Sequence, residues 1–176
     1  MGEVAVSNTP GDELVAIGLG SCIGLVIADR HAAVAGLAHV VLPDAGGKTG
    51  GPAGKFADLA VRDLVSRILG AGGSKPRLQA VMIGGASMFA VGTSMDIGAR
   101  NCAAVLAELD HEGVPLVAQE IGGSRGRTAR VVVGEEVSFQ AAGDRRTLIL
   151  SLSRTGTGSH ARRPSASGHQ VRVQTA

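Results

Sequence analysis

Two short apolar runs rich in β-branched residues, 23–28 and 33–42, flank the polar triplet Asp29-Arg30-His31, a pattern that predicts a β-hairpin. Ahead of it, residues 13–17 read as a first strand running into Gly18-Leu19-Gly20-Ser21-Cys22. Pro43 ends the hairpin, and residues 44–54 form a loop with five glycines and Pro52, placed to lie over whatever the hairpin carries. The period then changes to helical. Over 57–69, Ala57, Ala60, Val61, Leu64, Val65 and Ile68 share one face. Asp58 with Arg62 and Asp63 with Arg67 make i,i+4 pairs on the other, and Gly70 is the stop signal. A strand follows over 78–83, then a small-residue turn, Gly84-Gly85-Ala86-Ser87. A second helix is predicted from an Asp96 N-cap to about Glu112, with Cys102, Val105, Leu106 and Leu109 as its apolar stripe. Strands over 115–121, 130–133 and 147–152, with a short one at 137–139, complete the pattern. The fold class is therefore α/β: one compact domain over residues 1–153, with mixed or antiparallel sheet layers packed by two main helices. Residues 154–176, rich in Ser, Gly, Arg and Gln, are predicted to be a disordered basic tail.

Composition narrows the function. Three Phe and no Trp or Tyr leave the core to Val, Leu, Ile and Ala, and remove the stacking platforms that single-stranded nucleic acid needs. The overall charge of +2 is a tail effect. Residues 1–153 hold 13 Lys and Arg against 15 Asp and Glu, a net −2, and the tail adds four arginines and no acid. A general nucleic-acid surface is not indicated. No apolar run approaches the roughly 20 residues that span a bilayer, and no secretory signal opens the chain, so free thiols in a reducing cytoplasm are expected. No Cys or His pair has zinc spacing, and neither a metal nor an organic cofactor is expected. Lys48-Thr49 lacks the upstream glycine of a phosphate loop, since position 42 is Leu42; Gly18 and Gly20 lack the third glycine of a dinucleotide loop, since position 23 is Ile23.

What remains is a thiol and an imidazole. With the hairpin turn centred between Arg30 and His31, Cys22 stands directly opposite His39, on one face and with Cβ atoms roughly 4.5 to 5.5 Å apart. Gly24 then opposes Leu37 and leaves space beside the sulfur. A one-residue slip would separate the pair. A cysteine with a histidine base is the minimal equipment for nucleophilic catalysis; the alternative is a buried cysteine beside a main-chain-bonded histidine. If catalytic, Cys22 is expected to label faster than Cys102 and to have a depressed pKa, whereas Cys102 on its helix is a small core hydrophobe. Backbone N–H groups around Gly20 and Ser21 could hold an oxyanion, and Gly84, Gly85 and Ser87 could approach a substrate closely. In Gly122-Gly123-Ser124-Arg125-Gly126-Arg127, two arginines could hold an acidic group of a partner or form a solvated turn.

Taken in order, Leu19-Gly20-Ser21-Cys22, Gly36-Leu37-Ala38-His39-Val40-Val41-Leu42-Pro43-Asp44, Gly84-Gly85-Ala86-Ser87-Met88-Phe89, Ile97-Gly98-Ala99-Arg100-Asn101 and Gly122-Gly123-Ser124-Arg125-Gly126-Arg127 resemble the CheD family of chemoreceptor glutamine deamidases over residues 12–153. The resemblance implies a cysteine-dependent hydrolase in which Cys22 and His39 convert glutamine side chains of chemoreceptor cytoplasmic helices to glutamate. It also implies a CheC-like phosphatase as a binding partner, with a catalytically weak regulatory module of the chemotaxis system as the alternative role. One departure stands out. The family commonly has a threonine five or six residues before the cysteine, where this chain has Ile17 and Ala16.

Overall fold

A computed structural model describes residues 1–47, 50–87, 97–152 and 170–173. Within them the chain builds two five-stranded sheets and two helices. The strands are β1 (Val4–Ser7), β2 (Glu13–Leu19), β3 (Ile23–Asp29), β4 (Val34–Val40), β5 (Gln79–Gly84), β6 (Leu116–Ile121), β7 (Arg127–Val132), β8 (Glu136–Ala141), β9 (Thr147–Ser151) and β10 (Gln170–Val173). The helices are α1 (Ala57–Gly70) and α2 (Ile97–His111). The first sheet runs β1-β4-β3-β5-β6 and the second β10-β2-β7-β8-β9.

The first sheet is the middle of three layers, which explains its sequence. Every residue of β3 and β4 is buried, so these strands read as continuous apolar runs and not as alternations. Ile23, Leu25, Ile27, Ala38 and Val40 point to α1 and α2. Val26, Ala28, Ala35 and Leu37 point the other way, into a second core shared with Leu14, Ala16, Ala129 and Val131 of the second sheet. In β7, by contrast, buried and half-buried residues alternate, as in a sheet with one solvated face. The parallel pair of the first sheet among the described residues, β5 with β6, is joined through α2, because a parallel return needs a crossover.

The face predicted for α1 is the one buried, residue for residue. Of its two expected ion pairs, Asp63–Arg67 forms at 2.7 Å. Arg62 instead reaches Glu108 on α2 at 3.2 Å, and Asp58 accepts the Ala45 N–H. Helix α2 is rotated from its predicted stripe: Gly98, Asn101, Cys102, Val105 and Leu109 are buried, while Leu106 is 39% exposed. Gly98 sets this rotation, since a Cβ there would lie 2.6 Å from the Gly85 carbonyl oxygen and only glycine allows the approach. The proposed Asp96 cap lies outside the described residues, as do Lys48, Thr49, Met88 and Phe89.

Three strands depart from expectation. β1, for which no element was expected, pairs antiparallel with β4. β10 pairs parallel with β2 inside the segment predicted to be disordered; the rest of that tail is outside the described residues. The third departure is register. β3 and β4 pair Ile23 with Val40 and Gly24 with His39, so Gly24 opposes His39 and not Leu37, and Cys22 is not directly opposite His39. The cause is the turn. The buried Asp29 carboxylate accepts the N–H groups of His31 and Ala32 at 3.0 and 3.1 Å, and Ala33 takes a left-handed φ of 52°. This moves the hairpin axis by one residue and changes each pairing by two, which preserves the face.

Candidate active site

Cys22 sits where the chain crosses from one sheet to the other. β2 ends irregularly, with its pairing to β7 shifting between Ala16 and Leu19 and Gly18 at φ 73°. Gly20, Ser21 and Cys22 then carry the chain into β3. Neighbouring elements hold this turn by its carbonyls. Gly20 O accepts the Ala86 N–H at 2.7 Å and Cys22 O accepts the Gly85 N–H at 2.9 Å. Ser21 O accepts Asn101 Nδ2 at 2.9 Å, and the same amide nitrogen donates to Val41 O at 2.9 Å. One buried side chain on α2 therefore ties the cysteine turn to the strand end beyond His39.

His39 is fully buried and lies opposite Gly24 on the face that meets the second sheet. Cys22 is half-buried and packs against the same inter-sheet core. The two are thus brought to one side of the first sheet, diagonal to each other instead of directly opposed. No hydrogen bond joins them, and neither ring nitrogen of His39 has a partner among the described residues. The beginning of the chain closes over this end: the His39 N–H donates to Glu3 O at 3.0 Å, and the Gly54 N–H to Gly2 O at 2.9 Å. The glycine loop 44–54 is tied at its root, where the N–H groups of Val41 and Leu42 both donate to Lys55 O.

Burial sets both protonation states. It pushes the Cys22 thiol up, the Met1 amino group acting weakly the other way, which is opposite to the depressed pKa expected from sequence. Burial also pulls the imidazole of His39 down to about 4, helped by the same amino group and opposed by Glu3. At neutral pH the pair is a thiol and a neutral imidazole and not a preformed ion pair.

The N–H groups of Gly20, Gly85, Ala86 and Ser87 are engaged with Gly18 O, Cys22 O, Gly20 O and Gly123 O respectively. Those of Ser21 and Cys22 make no hydrogen bond to a described residue. These two backbone donors of the cysteine turn are unengaged among the described residues. Gly84 and Gly85 have a packing role as well: a Cβ on Gly84 would fall 2.2 Å from Cys22 O, and one on Gly85 would fall 2.5 Å from Cys102 Sγ. Cys102 is buried in the helix-side core, as expected of it. Asn101 is the residue that pattern reading passed over. A buried amide on an apolar helix stripe, at the end of Ile97-Gly98-Ala99-Arg100-Asn101, was its signal. Among the described residues no group of three or more His, Cys, Asp and Glu side chains could hold a metal ion, and no helix is long and apolar enough to cross a membrane.

A family model described as CheD chemotactic sensory transduction matches residues 41–137. Over 128 residues the chain is 47% identical to the chemoreceptor glutamine deamidase CheD of Thermotoga maritima, an overlap of 73% of this chain and 80% of that protein. The chain belongs to the CheD family. A protein of Desulfitobacterium hafniense named "Probable chemoreceptor glutamine deamidase CheD" is 43% identical over 137 residues, 76% of this chain and 85% of its own. One of the same name from Geobacillus kaustophilus is 48% identical over 117 residues, 63% and 71%. The two positions where the resemblance led to the expectation of a threonine separate cleanly. Ile17 is in the irregular end of β2 and 41% exposed, whereas Ala16 is fully buried in the inter-sheet core that His39 faces. Of these two positions, 16 is the one that lies in that core.

The depressed pKa of His39 makes this CheD-family fold pH-sensitive in a defined window. The folded state holds the imidazole neutral down to about pH 4, while the unfolded chain takes up the proton near 6.5. The stability this contributes is complete above pH 6.5 and is lost as pH falls toward 4, on the order of 3 kcal/mol in all. Urea melts at pH 7, 5.5 and 4 are expected to show a steeper loss for the parent chain than for His39→Leu. Parallel slopes would mean that His39 is not held neutral.

Proposed function

We propose that the chain deamidates glutamine side chains of chemoreceptors, with Cys22 as nucleophile and His39 as base. The observation that carries this is the shared face: the fold turns a half-buried thiol and a neutral, unbonded imidazole toward the same inter-sheet space. Relatives named for this activity, at 43 to 48% identity, support it.

In the reaction, His39 accepts the thiol proton as Cys22 Sγ attacks the side-chain carbonyl carbon of glutamine. The N–H groups of Ser21 and Cys22 receive the developing oxyanion. When the tetrahedral intermediate collapses, the C–N bond breaks and the imidazolium returns its proton to the leaving nitrogen, releasing ammonia. Water, deprotonated by His39, then hydrolyses the thioester, leaving glutamate and the thiol. Each turnover adds a negative charge to a receptor helix, a local repulsion able to bias a two-state signalling element. A substrate on receptor cytoplasmic domains places the enzyme in the cytoplasm, and a CheC-like phosphatase is the second partner that family membership suggests; co-elution of the two proteins would establish it.

Peptide mass spectrometry of a chemoreceptor cytoplasmic domain incubated with the chain is the test. A gain of about one mass unit at particular glutamines, absent with Cys22→Ala and His39→Ala, is expected. An unchanged receptor, with the chain folded, would refute the proposal.

A further inference from the structure

We propose that the cleft between the Gly122–Arg127 loop and the β8–β9 turn binds a carboxylate of the substrate, about two helical turns from the glutamine that reacts. This rests on the deamidase reading and adds a sequence preference to it.

The cleft has a volume of about 400 Å³ and is lined by Arg125, Arg127, Arg145, Glu120, Asp144 and Phe139, among others. Two of the three arginines are already matched. Arg127 pairs with Glu120 at 3.0 Å and Arg125 with Asp144 at 2.8 Å. Arg145 is exposed and has no ion pair among the described residues, so the wall carries one cation in excess on a body of net negative charge. Arg127 is fixed in place: it is nine-tenths buried, and its Nη1 donates to Gly122 O at 2.7 Å and Arg125 O at 3.3 Å. Its Nε–H, also buried, has no partner among the described residues. Arg127 therefore forms a fixed, charged wall of the cleft, and the exposed Arg145 is the cation left to meet an incoming oxygen.

Charge and shape select the ligand. A phosphate dianion would face Glu120 and Asp144 with more charge than the single excess arginine offsets. A carboxylate brings one negative charge, and its methylene stem can lie against Phe139.

Position ties the cleft to the reaction. The Gly122 N–H donates to Gly84 O at 2.9 Å, and Gly123 O accepts the Ser87 N–H at 2.8 Å. Gly84 in turn pairs with Ile23, next to Cys22. The cleft's near edge is therefore two strand spacings from the cysteine turn, roughly 10 Å. At 5.4 Å per turn, a helical substrate spans this in about two turns.

Fluorescein-labelled helical peptides with one glutamine, and Glu, Ser or Lys seven residues from it, test the proposal by anisotropy with the Cys22→Ala chain. The Glu peptide is expected to bind about threefold to fivefold more tightly than the Ser peptide in low salt, with the ratio falling at high salt. Arg145→Ala should bring the ratio to about one, and Arg145→Glu should favour the Lys peptide. Equal binding of Glu and Ser peptides, no binding of either, or a Glu preference that survives Arg145→Glu would overturn it. Deamidation of the same peptides by the chain with Cys22 intact is scored separately. Failure there refutes the deamidase reading, while the binding ratio alone decides the cleft.

Discussion

Cys22→Ala is expected to lower receptor deamidation by about 10⁴-fold or more with little effect on the fold. In the proposed reaction the sulfur is the one atom that forms the covalent intermediate. Its position is half-buried, and alanine removes a single heavy atom without leaving an unpaired polar group. The turn itself is held through the backbone, by the carbonyls of Gly20, Ser21 and Cys22, so it should survive the substitution. Thiol labelling makes the point sharper. Burial raises the Cys22 pKa, so iodoacetamide should label it slowly near neutrality and faster as pH climbs above the usual thiol range of about 8.5. Even so it should precede Cys102, which is 8% exposed and wedged against Gly85. Rapid labelling at pH 7 would mean a preformed thiolate and would replace the neutral-pair mechanism by an ion-pair one. Labelling of Cys102 first would remove Cys22 from the role altogether.

How far the sequence leads depends on whether a residue's surroundings are local. The buried face of α1 was legible in full because a 3.6-residue period is a property of that segment alone. The runs that became β3 and β4 were legible as strands for the same reason. Their register was not, because it depends on Asp29 accepting two turn N–H groups, and on Ser74 and Arg77 reaching the same carboxylate from 45 and 48 residues away. The pairing differs by two and not by one, so the direct opposition of Cys22 and His39 is lost while both stay on the side of the sheet that meets the second core. β1 and β10 are four residues each and gain their order from a partner strand, which no pattern within four residues can announce. The pKa directions were beyond reach too. A thiol beside an imidazole suggests an ion pair until the burial of both is known.

Asn101→Leu tests the link between α2 and the site. Its Nδ2 is the common donor to Ser21 O and Val41 O, at 2.9 Å each, and the side chain is fully buried. Leucine keeps most of the volume and leaves both carbonyls without that donor. At about 1 to 3 kcal/mol per buried group left unpaired, a loss of roughly 2 to 6 kcal/mol in a urea melt is expected. Activity should fall as well, because the turn bearing Cys22 and the strand end beyond His39 are no longer held to a common point. A misplacement of about 1 Å there is worth roughly 100-fold in kcat. Asn101→Asp separates position from packing. A carboxylate of the same shape would set negative oxygens against two carbonyl oxygens, so it should damage both properties more than leucine at pH 7 and recover as acid protonates it. If Asn101→Asp matches the parent chain in kcat and stability, the amide does not clamp the site, and the Gly20 and Cys22 carbonyl bonds to Ala86 and Gly85 must hold the turn unaided.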